Sequence, residues 1–323
     1  MKPLRIGVVG VGHLGQFHAE KYARMEGVEL VGIADIIADR AHDVASRLGT
    51  KAFTDYKDLI EKVDAASIVV PTDLHFPASH DFLEAKVDLL IEKPITETLD
   101  DADTLIQLAD SKGLIIQVGH LERFNPAILA LSEVIDRPLF IESDRLSGFG
   151  ERGTEVDVVL DLMIHDIDII LSLVKSPIKS IHAVGVPVVT PRVDIANARL
   201  IFENGCVANV TASRISMKSM RKIRFFQRDT YVSVDYASHD VTIIQKDGKG
   251  TKLPVPGMSM NRSKFEKADS LDAELKAFVQ SVRTRQPPLV TGSDGRNALQ
   301  VAIDIVRQIE TSTREVLAGQ DKK

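Results

Sequence analysis

Residues 5–20 read RIGVVGVGHLGQFHAE, and this stretch decides the fold expected for the first part of the chain. Its apolar start predicts a buried strand, and residues 13–25 have the spacing of a helix. Between them, Gly10, Gly12 and Gly15 form a G-x-G-x-x-G motif. The first glycine permits a tight turn, the second lets the backbone approach a pyrophosphate, and the third lets helix and strand pack closely. The motif therefore predicts a dinucleotide site at a helix N-terminus, the alternative being a glycine-rich turn without a ligand.

The choice of cofactor depends on Asp35, which ends the second predicted strand 20 residues after Gly15. Its carboxylate is expected to accept hydrogen bonds from the adenosine ribose hydroxyls and to repel a 2′-phosphate, which favours NAD over NADP. Arg40, in the next predicted helix, would weaken that preference by reaching a 2′-phosphate. His13 and Leu14 complete the expected cofactor-binding loop.

The texture of the chain predicts two domains. The first 120 residues alternate short apolar runs with helical patterns, which indicates a parallel sheet covered on both faces. Later segments alternate apolar and polar residues, and Asn204-Gly205 is typical of a type I′ hairpin turn. We therefore predict an α/β fold. An NAD-binding Rossmann domain takes residues 1–122, and a C-terminal α/β domain with a large, open, mostly antiparallel sheet takes residues 123–323, its closing helices packing back near the junction. The stretch 247–268 is expected to be a mobile loop.

Composition excludes several classes of protein. A length of 323 residues suits two domains of roughly 150 residues each. The net charge of −6 argues against nucleic acid as a partner. One cysteine, Cys206, excludes an intrachain disulfide and a multi-cysteine metal site, and no metal is expected. The longest uncharged run found, Ser180–Pro191, is too short to span a bilayer. The expected location is the cytoplasm, without membrane insertion.

Further candidates follow the strands of the predicted parallel sheet, where ligands bind in open α/β sheets. Glu92 and Lys93, followed by Pro94, end one strand, and Lys93 is placed to face the nicotinamide end of a cofactor. Thr72 and His75 follow another strand and are expected to border the same crevice. The alternative for Glu92 and Lys93 is a surface ion pair.

Asp161 and His165 lie four residues apart in a helix predicted over 156–174, which puts both side chains on one helical face. A carboxylate beside an imidazole orients the ring and raises its basicity, as a general base for an alcohol proton requires. The alternative is a pair that only holds the helix against its neighbours. Asp166 and Asp168, in an otherwise apolar helix, favour the functional interpretation.

Four residues are predicted to bind substrate. Arg123 and Asn125 lie at the predicted domain junction, and Arg214 and Arg221 belong to a group of cations near the later strands. That group, called the cation cluster below, consists of Arg214, Lys218, Arg221, Lys222, Arg224 and Arg228. On an acidic chain it suits a diphosphate, because arginine binds phosphate oxygens directionally. The alternative is a solvated charged face at strand edges.

Together these segments resemble the Gfo/Idh/MocA family of oxidoreductases over nearly the whole chain. The resemblance rests on GVVGVGHLGQFHAE, VVPTDLHFPAS and IEKP, and on the D-x-x-x-H of VVLDLMIHDIDII. It implies a Rossmann domain, an open sheet that forms homodimers or homotetramers, and NAD or NADP as hydride acceptor. It also implies that Lys93, Asp161 and His165 meet at the substrate carbon.

Within the family, GHLERFNPAI and LDLMIHDIDII are most similar to dehydrogenases that oxidise the 3-hydroxyl of UDP-N-acetylglucosamine, which in bacteria supply an amino sugar for lipid A. The resemblance thus implies a nucleotide-sugar substrate. Many members have a glycine-rich segment where this chain has Glu155-Val156-Asp157, and a glycine where it has Met163. That departure leaves another sugar or an inositol open as the substrate.

In the implied reaction, a base removes the hydroxyl proton as hydride leaves the carbon for the nicotinamide. His165, oriented by Asp161, is the expected base, and the Lys93 ammonium is expected to stabilise developing charge on the oxygen. The reverse assignment, with Lys93 as base, requires its pKa to be lowered by burial. A non-catalytic cofactor-binding sensor and a bilin reductase are other functions of related scaffolds. The intact Lys93, Asp161 and His165 argue against the sensor.

Overall fold

The computed structural model describes residues 2–150, 153–236, 238–246, 248, 250–265 and 268–320, with side chains as far as residue 312. The chain divides into two compact units. Unit 1 combines Met1–Phe124 with Asp269–Asn297, and unit 2 combines Asn125–Ala268 with Ala298–Lys323. Of the helices in the described ranges, none is long and apolar enough to cross a membrane.

Unit 1, as far as it is described, is built on a six-stranded parallel sheet. Its strands are β1 (Leu4–Val9), β2 (Val28–Ala34), β3 (Lys51–Phe53), β4 (Ala65–Ile68), β5 (Asp88–Glu92) and β6 (Ile116–Gly119). All four residues of β4 are buried, and since successive side chains point to opposite faces, both faces are covered there. The order β3-β2-β1-β4-β5-β6 reverses direction between β1 and β4, where ligands bind in such sheets. The predicted parallel sheet is confirmed.

Helices connect these strands. They are α1 (His13–Arg24), α2 (Ala38–Leu48), α3 (Lys57–Ile60), α4 (His75–Glu84) and α5 (Leu99–Lys112). In α5, the Thr98 hydroxyl oxygen accepts the Asp101 N–H at 3.2 Å, and Gly113 ends the helix in the left-handed conformation. Elements as short as β3 and α3 carry no periodic pattern, so the sequence does not predict them.

Unit 2 contains, in its described residues, a nine-stranded sheet. Its strands are β7 (Pro138–Leu146), β8 (Ile178–Val186), β9 (Ile195–Phe202), β10 (Val207–Ser213), β11 (Met220–Gln227), β12 (Thr230–Asp235), β13 (Asp240–Lys246), β14 (Thr251–Lys252) and β15 (Met258–Lys264). The order is β14-β15-β13-β12-β11-β7-β10-β9-β8; β7 and β10 run parallel and the other neighbours antiparallel. This confirms the predicted open, mostly antiparallel sheet.

The stretch 247–268 corrects one expectation. Strands β14 and β15 lie within it, so the prediction of a mobile loop is wrong for their residues. The pattern is hidden because β15 reads MSMNRSK, and only Ser259 in it is buried. Residues 247, 249, 266 and 267 lie outside the described residues.

The hairpin of β9 and β10 forms where the sequence predicts it. Gly205 has a φ of +86°, and the Asn204 side-chain oxygen accepts the Cys206 N–H at 3.0 Å. Alternate residues on the two strands, including Ala198 and Val210, are fully buried on one face of the sheet. The other face is polar here and more exposed. It carries the side-chain pairs Asn197–Thr211 at 2.9 Å and Arg199–Asn209 at 3.1 Å.

Two helices of unit 2 matter for the candidate site. They are α6 (Pro126–Leu129) and α7 (Ile164–Leu173), the latter preceded by one π-helical turn, Val159–Met163. The helix predicted over 156–174 is thus shorter and starts with a wider turn. Ile164 and Ile167 of α7 are fully buried in the core of unit 2 with Ile223 of β11.

The closing helices differ from the expected domain assignment. Helix α8 (Ser270–Thr284) belongs to unit 1, and α9 (Gly292–Gln320) starts in unit 1 and continues in unit 2. The reason is the apolar stripe of α8. Leu275, Phe278 and Val282, at helical spacing, are buried in one core with Ile6 and Val8 of β1. The parallel sheet thus draws residues 269–297 into unit 1.

Candidate functional site

Two glycines of the loop between β1 and α1 are required by the packing of the chain itself. Gly10 has a φ of +85°, and a Cβ on it would lie 2.5 Å from the Val69 carbonyl oxygen. A Cβ on Gly15 would lie 1.8 Å from the Gly10 carbonyl oxygen. Only glycine fits either position, because α1 packs directly on the turn that follows β1.

Gly12 is different, and it tests whether the loop fits a dinucleotide. A Cβ there would meet only Arg40 Nη1, at an ordinary 3.9 Å, so the described chain does not itself require a glycine. The bare backbone therefore leaves room for a ligand. Helix α1 begins at His13 with no acidic residue in its first turn and no side-chain cap, and His13 and Leu14 are exposed. Its first N–H groups and its dipole suit a pyrophosphate, so these residues fit the predicted cofactor.

Asp35 links the end of β2 to this loop. One carboxylate oxygen accepts the Val11 N–H at 3.0 Å, and the other accepts the Ile37 N–H at 2.9 Å and an Arg40 N–H at 2.8 Å. The structure thus brings Asp35, Arg40 and the glycine loop together. The Arg40 guanidinium is held on the carboxylate, although 40% of its side chain remains exposed.

His75, at the start of α4, occupies a different place from the one expected. The residue is 1% exposed, and its two ring nitrogens lie 2.9 Å from the carbonyl oxygens of Val70 and Pro94. Burial lowers its pKa. The predicted direct cofactor contact therefore needs correction: His75 connects the ends of β4 and β5 and positions Pro94 after Lys93. Thr72, half-buried, lies in a short 3₁₀ turn just before α4.

Glu92 turns inward, and with 12% of its side chain exposed it is not the surface carboxylate that the alternative interpretation requires. One oxygen lies 3.2 Å from Nε2 of the fully buried His18, and the other accepts the Lys93 N–H at 3.2 Å. Gly119 on β6 makes room for it, because a Cβ there would lie 2.9 Å from the carboxylate. Spacing in the sequence assigns His18 no role. The signal for it is a polar residue on the buried face of α1, beside Ala19 and Tyr22.

In unit 2, Asp161 lies in the π-helical turn and His165 in the first turn of α7, and both are half-buried. Asp157, just before this turn, stabilises it through two hydrogen bonds. Its carboxylate accepts the Val193 N–H at 2.9 Å, and its carbonyl oxygen accepts the Asp161 N–H at 3.1 Å. π-Helical turns are frequent at functional sites. The pair thus presents partly accessible titratable groups on an otherwise buried helix.

Asp166 has a structural role instead. Its fully buried carboxylate accepts Arg145 Nε–H at 2.6 Å and the Ser143 hydroxyl at 2.9 Å, which ties α7 to β7. Its presence in an apolar helix is therefore explained without a catalytic site, and Asp166 does not favour the functional interpretation of this helix.

Arg214 is the main correction among the predicted substrate-binding residues. It is 4% exposed, and its guanidinium donates to the Asp194 carboxylate at 3.1 Å and to three carbonyl oxygens of the chain. These belong to Gly153, Val156 at 2.6 Å and Val193 at 2.9 Å. A guanidinium so engaged is not available to a diphosphate.

The cation cluster is not one surface. On β11, Ile223 and Phe225 face the core, so Arg221 lies on their side of the sheet and Lys222 on the other. Arg224 forms ion pairs with Glu142 at 3.2 Å and Asp144 at 3.3 Å. Of the predicted diphosphate ligands, Arg221 is exposed and remains a candidate.

Asn125 and Arg123 have roles within their own units. The Asn125 side-chain oxygen accepts the Ala127 N–H at 3.0 Å as the N-cap of α6, ahead of Pro126. The residue is 3% exposed. The Arg123 guanidinium donates to the Leu289 carbonyl oxygen at 3.2 Å. The cap accounts for the asparagine, and its predicted contact with substrate stays a proposal.

Two family models match the chain. The model of the GFO/IDH/MocA oxidoreductase family with an NAD-binding Rossmann fold matches residues 4–120, and the GFO/IDH/MocA C-terminal domain matches residues 137–233. The UDP-N-acetylglucosamine 3-dehydrogenase of Acidithiobacillus ferrooxidans is 39% identical over 308 residues, which cover 95% of this chain and 97% of that protein. A solved structure of that enzyme superimposes with a TM-score of 0.91 at 38% identity, over 96% of this chain and 99% of that one.

Two matches at lower identity also cover almost the whole chain. The myo-inositol 2-dehydrogenase of Thermotoga maritima is 26% identical over 327 residues, covering 95% of this chain and 96% of the relative. The scyllo-inositol dehydrogenase of Lactobacillus casei shares the fold, with a TM-score of 0.81 at 21% identity over 96% of this chain and 98% of that one. The chain belongs to the Gfo/Idh/MocA family of NAD-binding oxidoreductases.

Proposed function

We propose that this protein oxidises the 3-hydroxyl of UDP-N-acetylglucosamine to a ketone with NAD as the hydride acceptor. The observation that carries the proposal is the similarity along almost the whole chain to the Acidithiobacillus enzyme of that activity. The open backbone at Gly12, at the N-terminus of α1, supports the dinucleotide part of it.

NAD is proposed over NADP because a carboxylate, Asp35, ends β2 beside the glycine loop. The Arg40 guanidinium already pairs with the negative charge of Asp35. Breaking this ion pair would free the guanidinium to bind a 2′-phosphate. Titration should show at least about tenfold tighter binding of NAD than of NADP. Asp35→Ala should narrow the gap, and Arg40→Ala should widen it. Equal affinities in the unaltered protein would contradict the proposal.

The chemical roles are assigned to three residues. When bound, NAD supplies the hydride acceptor at the nicotinamide ring. We propose that His165 accepts the hydroxyl proton, that Asp161 orients the imidazole, and that the Lys93 ammonium donates a hydrogen bond to the sugar oxygen. His165→Asn should lower turnover by about 10²–10⁴-fold. Lys93→Met should abolish turnover and leave NAD binding nearly intact. If His165→Asn kept near-normal turnover, Lys93 would be the base.

The decisive experiment measures NADH absorbance with UDP-N-acetylglucosamine, free N-acetylglucosamine, myo-inositol and scyllo-inositol. The proposal expects turnover of the nucleotide sugar in preference to the others. Preference for an inositol would instead support the activity of the Thermotoga relative. Binding of NAD with no turnover of any sugar would favour a sensor. Arg221→Ala tests the remaining diphosphate candidate, since it should raise KM for the nucleotide sugar only if Arg221 binds it.

We further propose that the protein forms a homodimer or homotetramer through the sheet of unit 2. An apolar row crosses the face of that sheet opposite the buried core, with Phe140, Phe226 and Tyr231 side by side on β7, β11 and β12. Their ring centroids lie 5.6 and 5.1 Å apart. A second copy would cover such a row. Light scattering should give a dimer or tetramer, and Phe226→Glu should shift it towards monomer. A strict monomer in the unaltered protein contradicts this.

A further inference from the structure

Arg214 holds together three pieces of unit 2. From the end of β10 it donates to Asp194, which precedes β9, and to the carbonyl oxygens of Gly153 and Val156, which precede the helix with Asp161 and His165. Asp194 is fully buried and is held in turn by N–H groups of the loop before it, including that of Val189 at 2.7 Å. A buried ion pair with this many bonds fixes the positions of the backbones that it joins.

Gly153 is the point where this network meets the candidate site. It has a φ of +72°, and a Cβ on it would lie only 2.6 Å from Oδ2 of Asp161 and 3.1 Å from its Cγ. The backbone of Gly153 is therefore packed directly against the Asp161 carboxylate. The Arg214 guanidinium, which can only donate hydrogen bonds, donates one to the Gly153 carbonyl oxygen. It therefore fixes the position of the Gly153 backbone, and this backbone limits where the Asp161 carboxylate can lie.

We propose that Arg214 and Asp194 are positioning residues for the reaction, which act through Gly153 to hold the Asp161 carboxylate in the place from which it orients His165. This inference rests on the role proposed above for Asp161. Arg214, which the sequence predicts to bind a diphosphate, thus acts on the placement of the proposed base His165 instead.

The first test is Gly153→Ala, with Gly205→Ala as the matched control. Both glycines have positive φ, so both variants carry the same kind of backbone strain, but a Cβ at Gly205 meets nothing within 4 Å. Gly153→Ala must displace either the Asp161 carboxylate or the backbone packed against it, and either shift changes how the two are placed. It should lower kcat for UDP-N-acetylglucosamine by about tenfold to 10²-fold and leave NAD affinity unchanged. Gly205→Ala should stay within about twofold. Equal kcat values for the two variants would overturn the inference.

The second test separates positioning from stability. Asp161→Asn and the double variant Gly153→Ala/Asp161→Asn should have the same kcat within about twofold, because the glycine acts only through the carboxylate. Losses that multiply would overturn the inference. Arg214→Lys keeps the charge but loses the planar fork, and it should lower kcat as Gly153→Ala does. If Arg214→Lys does not fold, the glycine variants still decide.

The outcome also distinguishes this inference from the proposed function. If Asp161→Asn keeps full turnover, the catalytic role of Asp161 is wrong and the positioning role is wrong with it. If Asp161→Asn is impaired while Gly153→Ala behaves like Gly205→Ala, only the positioning role is wrong. The acid limb of the pH profile of kcat gives an independent readout. If the Asp161 carboxylate is misplaced in Gly153→Ala, this limb should move in the same direction as in Asp161→Asn.

Discussion

Fully buried carboxyl groups in the two units have opposite surroundings. In unit 2, Asp166 and Asp194 are fully buried, and each has an arginine on it: Arg145 at 2.6 Å and Arg214 at 3.1 Å. In unit 1, Glu274 of α8 is also fully buried, yet among the described residues neither of its carboxyl oxygens has a hydrogen-bond partner. Burial alone therefore does not decide the charge of an acid, since the groups that face it do.

The surroundings of Glu274 explain its state. Helix α1 faces it with Tyr22, β5 with Glu92, and β6 with Gln117, whose side-chain N–H donates to the Glu274 backbone oxygen at 3.1 Å. Burial raises the pKa of Glu274 well above its usual range, and the charge of Glu92 adds to this. Burial also raises the pKa of Glu92, but His18 and Lys93 outweigh it, and the net shift is downward. Because the two shifts are opposite, Glu274 is the acid that keeps its proton to higher pH, and Glu92 is the one that ionises first.

The largest effect should come from breaking a paired carboxylate. Arg145→Met leaves Asp166 buried without its cation, which should cost about 3–5 kcal/mol of stability. Urea unfolding followed by circular dichroism measures the loss. Arg145→Met/Asp166→Leu, which removes both charges, should regain much of it. A double variant as unstable as the single one would show that packing, and not the charge, is responsible.

Asp194→Asn should lower the free energy of unfolding by about 2–4 kcal/mol at neutral pH, and this loss should vary with pH. Burial raises the pKa of Asp194, but the N–H groups of Thr190, Val189 and Val188 outweigh it and hold the pKa well below its usual range. A lowered pKa contributes stability above the unfolded value of about 3.9 and loses it as pH falls. The gap between the unaltered protein and the variant should therefore narrow on acidification. A constant gap would contradict the pKa assignment.

Glu274→Gln should show the opposite sign. An acid with a raised pKa contributes its full stability below the unfolded value of about 4.3 and loses about 1.4 kcal/mol per pH unit above it, up to its folded pKa. The amide removes this slope. Melting temperatures should show the variant gaining on the unaltered protein as the pH rises above the unfolded value of about 4.3. Glu61→Gln, at an exposed site of unit 1, is the matched control for the substitution itself.

The sequence predicts those structural features that depend on local pattern. Gly10 and Gly15 have the packing roles expected from their spacing. Asp35, predicted at the end of the second strand, lies directly after β2 and against the glycine loop. These features follow from neighbours within one strand–turn–helix or hairpin, where periodicity and turn chemistry leave few alternatives.

The partners of charged side chains are what the sequence does not reveal. Arg214 and Asp194 are 20 residues apart, and Glu92 and Glu274 are 182 apart, so no spacing rule joins them. Arg214 appears as one of a run of cations, although its strand end turns it inward while Arg221 stays exposed. Whether a cation meets a ligand or a buried carboxylate is decided by register and tertiary packing, which local patterns do not encode.

The smallest effect should come from an ion pair at the surface of the same sheet, and it sets the scale for the others. Arg262 of β15 lies 3.3 Å from Asp240 of β13, but 66% of its side chain is exposed. Water solvates both partners once they separate, so little is lost. Arg262→Met should shift the urea midpoint by less than about a third of the shift in Arg145→Met. Similar shifts in the two variants would show that arginine packing, common to both, dominates, and the contrast between buried and exposed pairs would not hold.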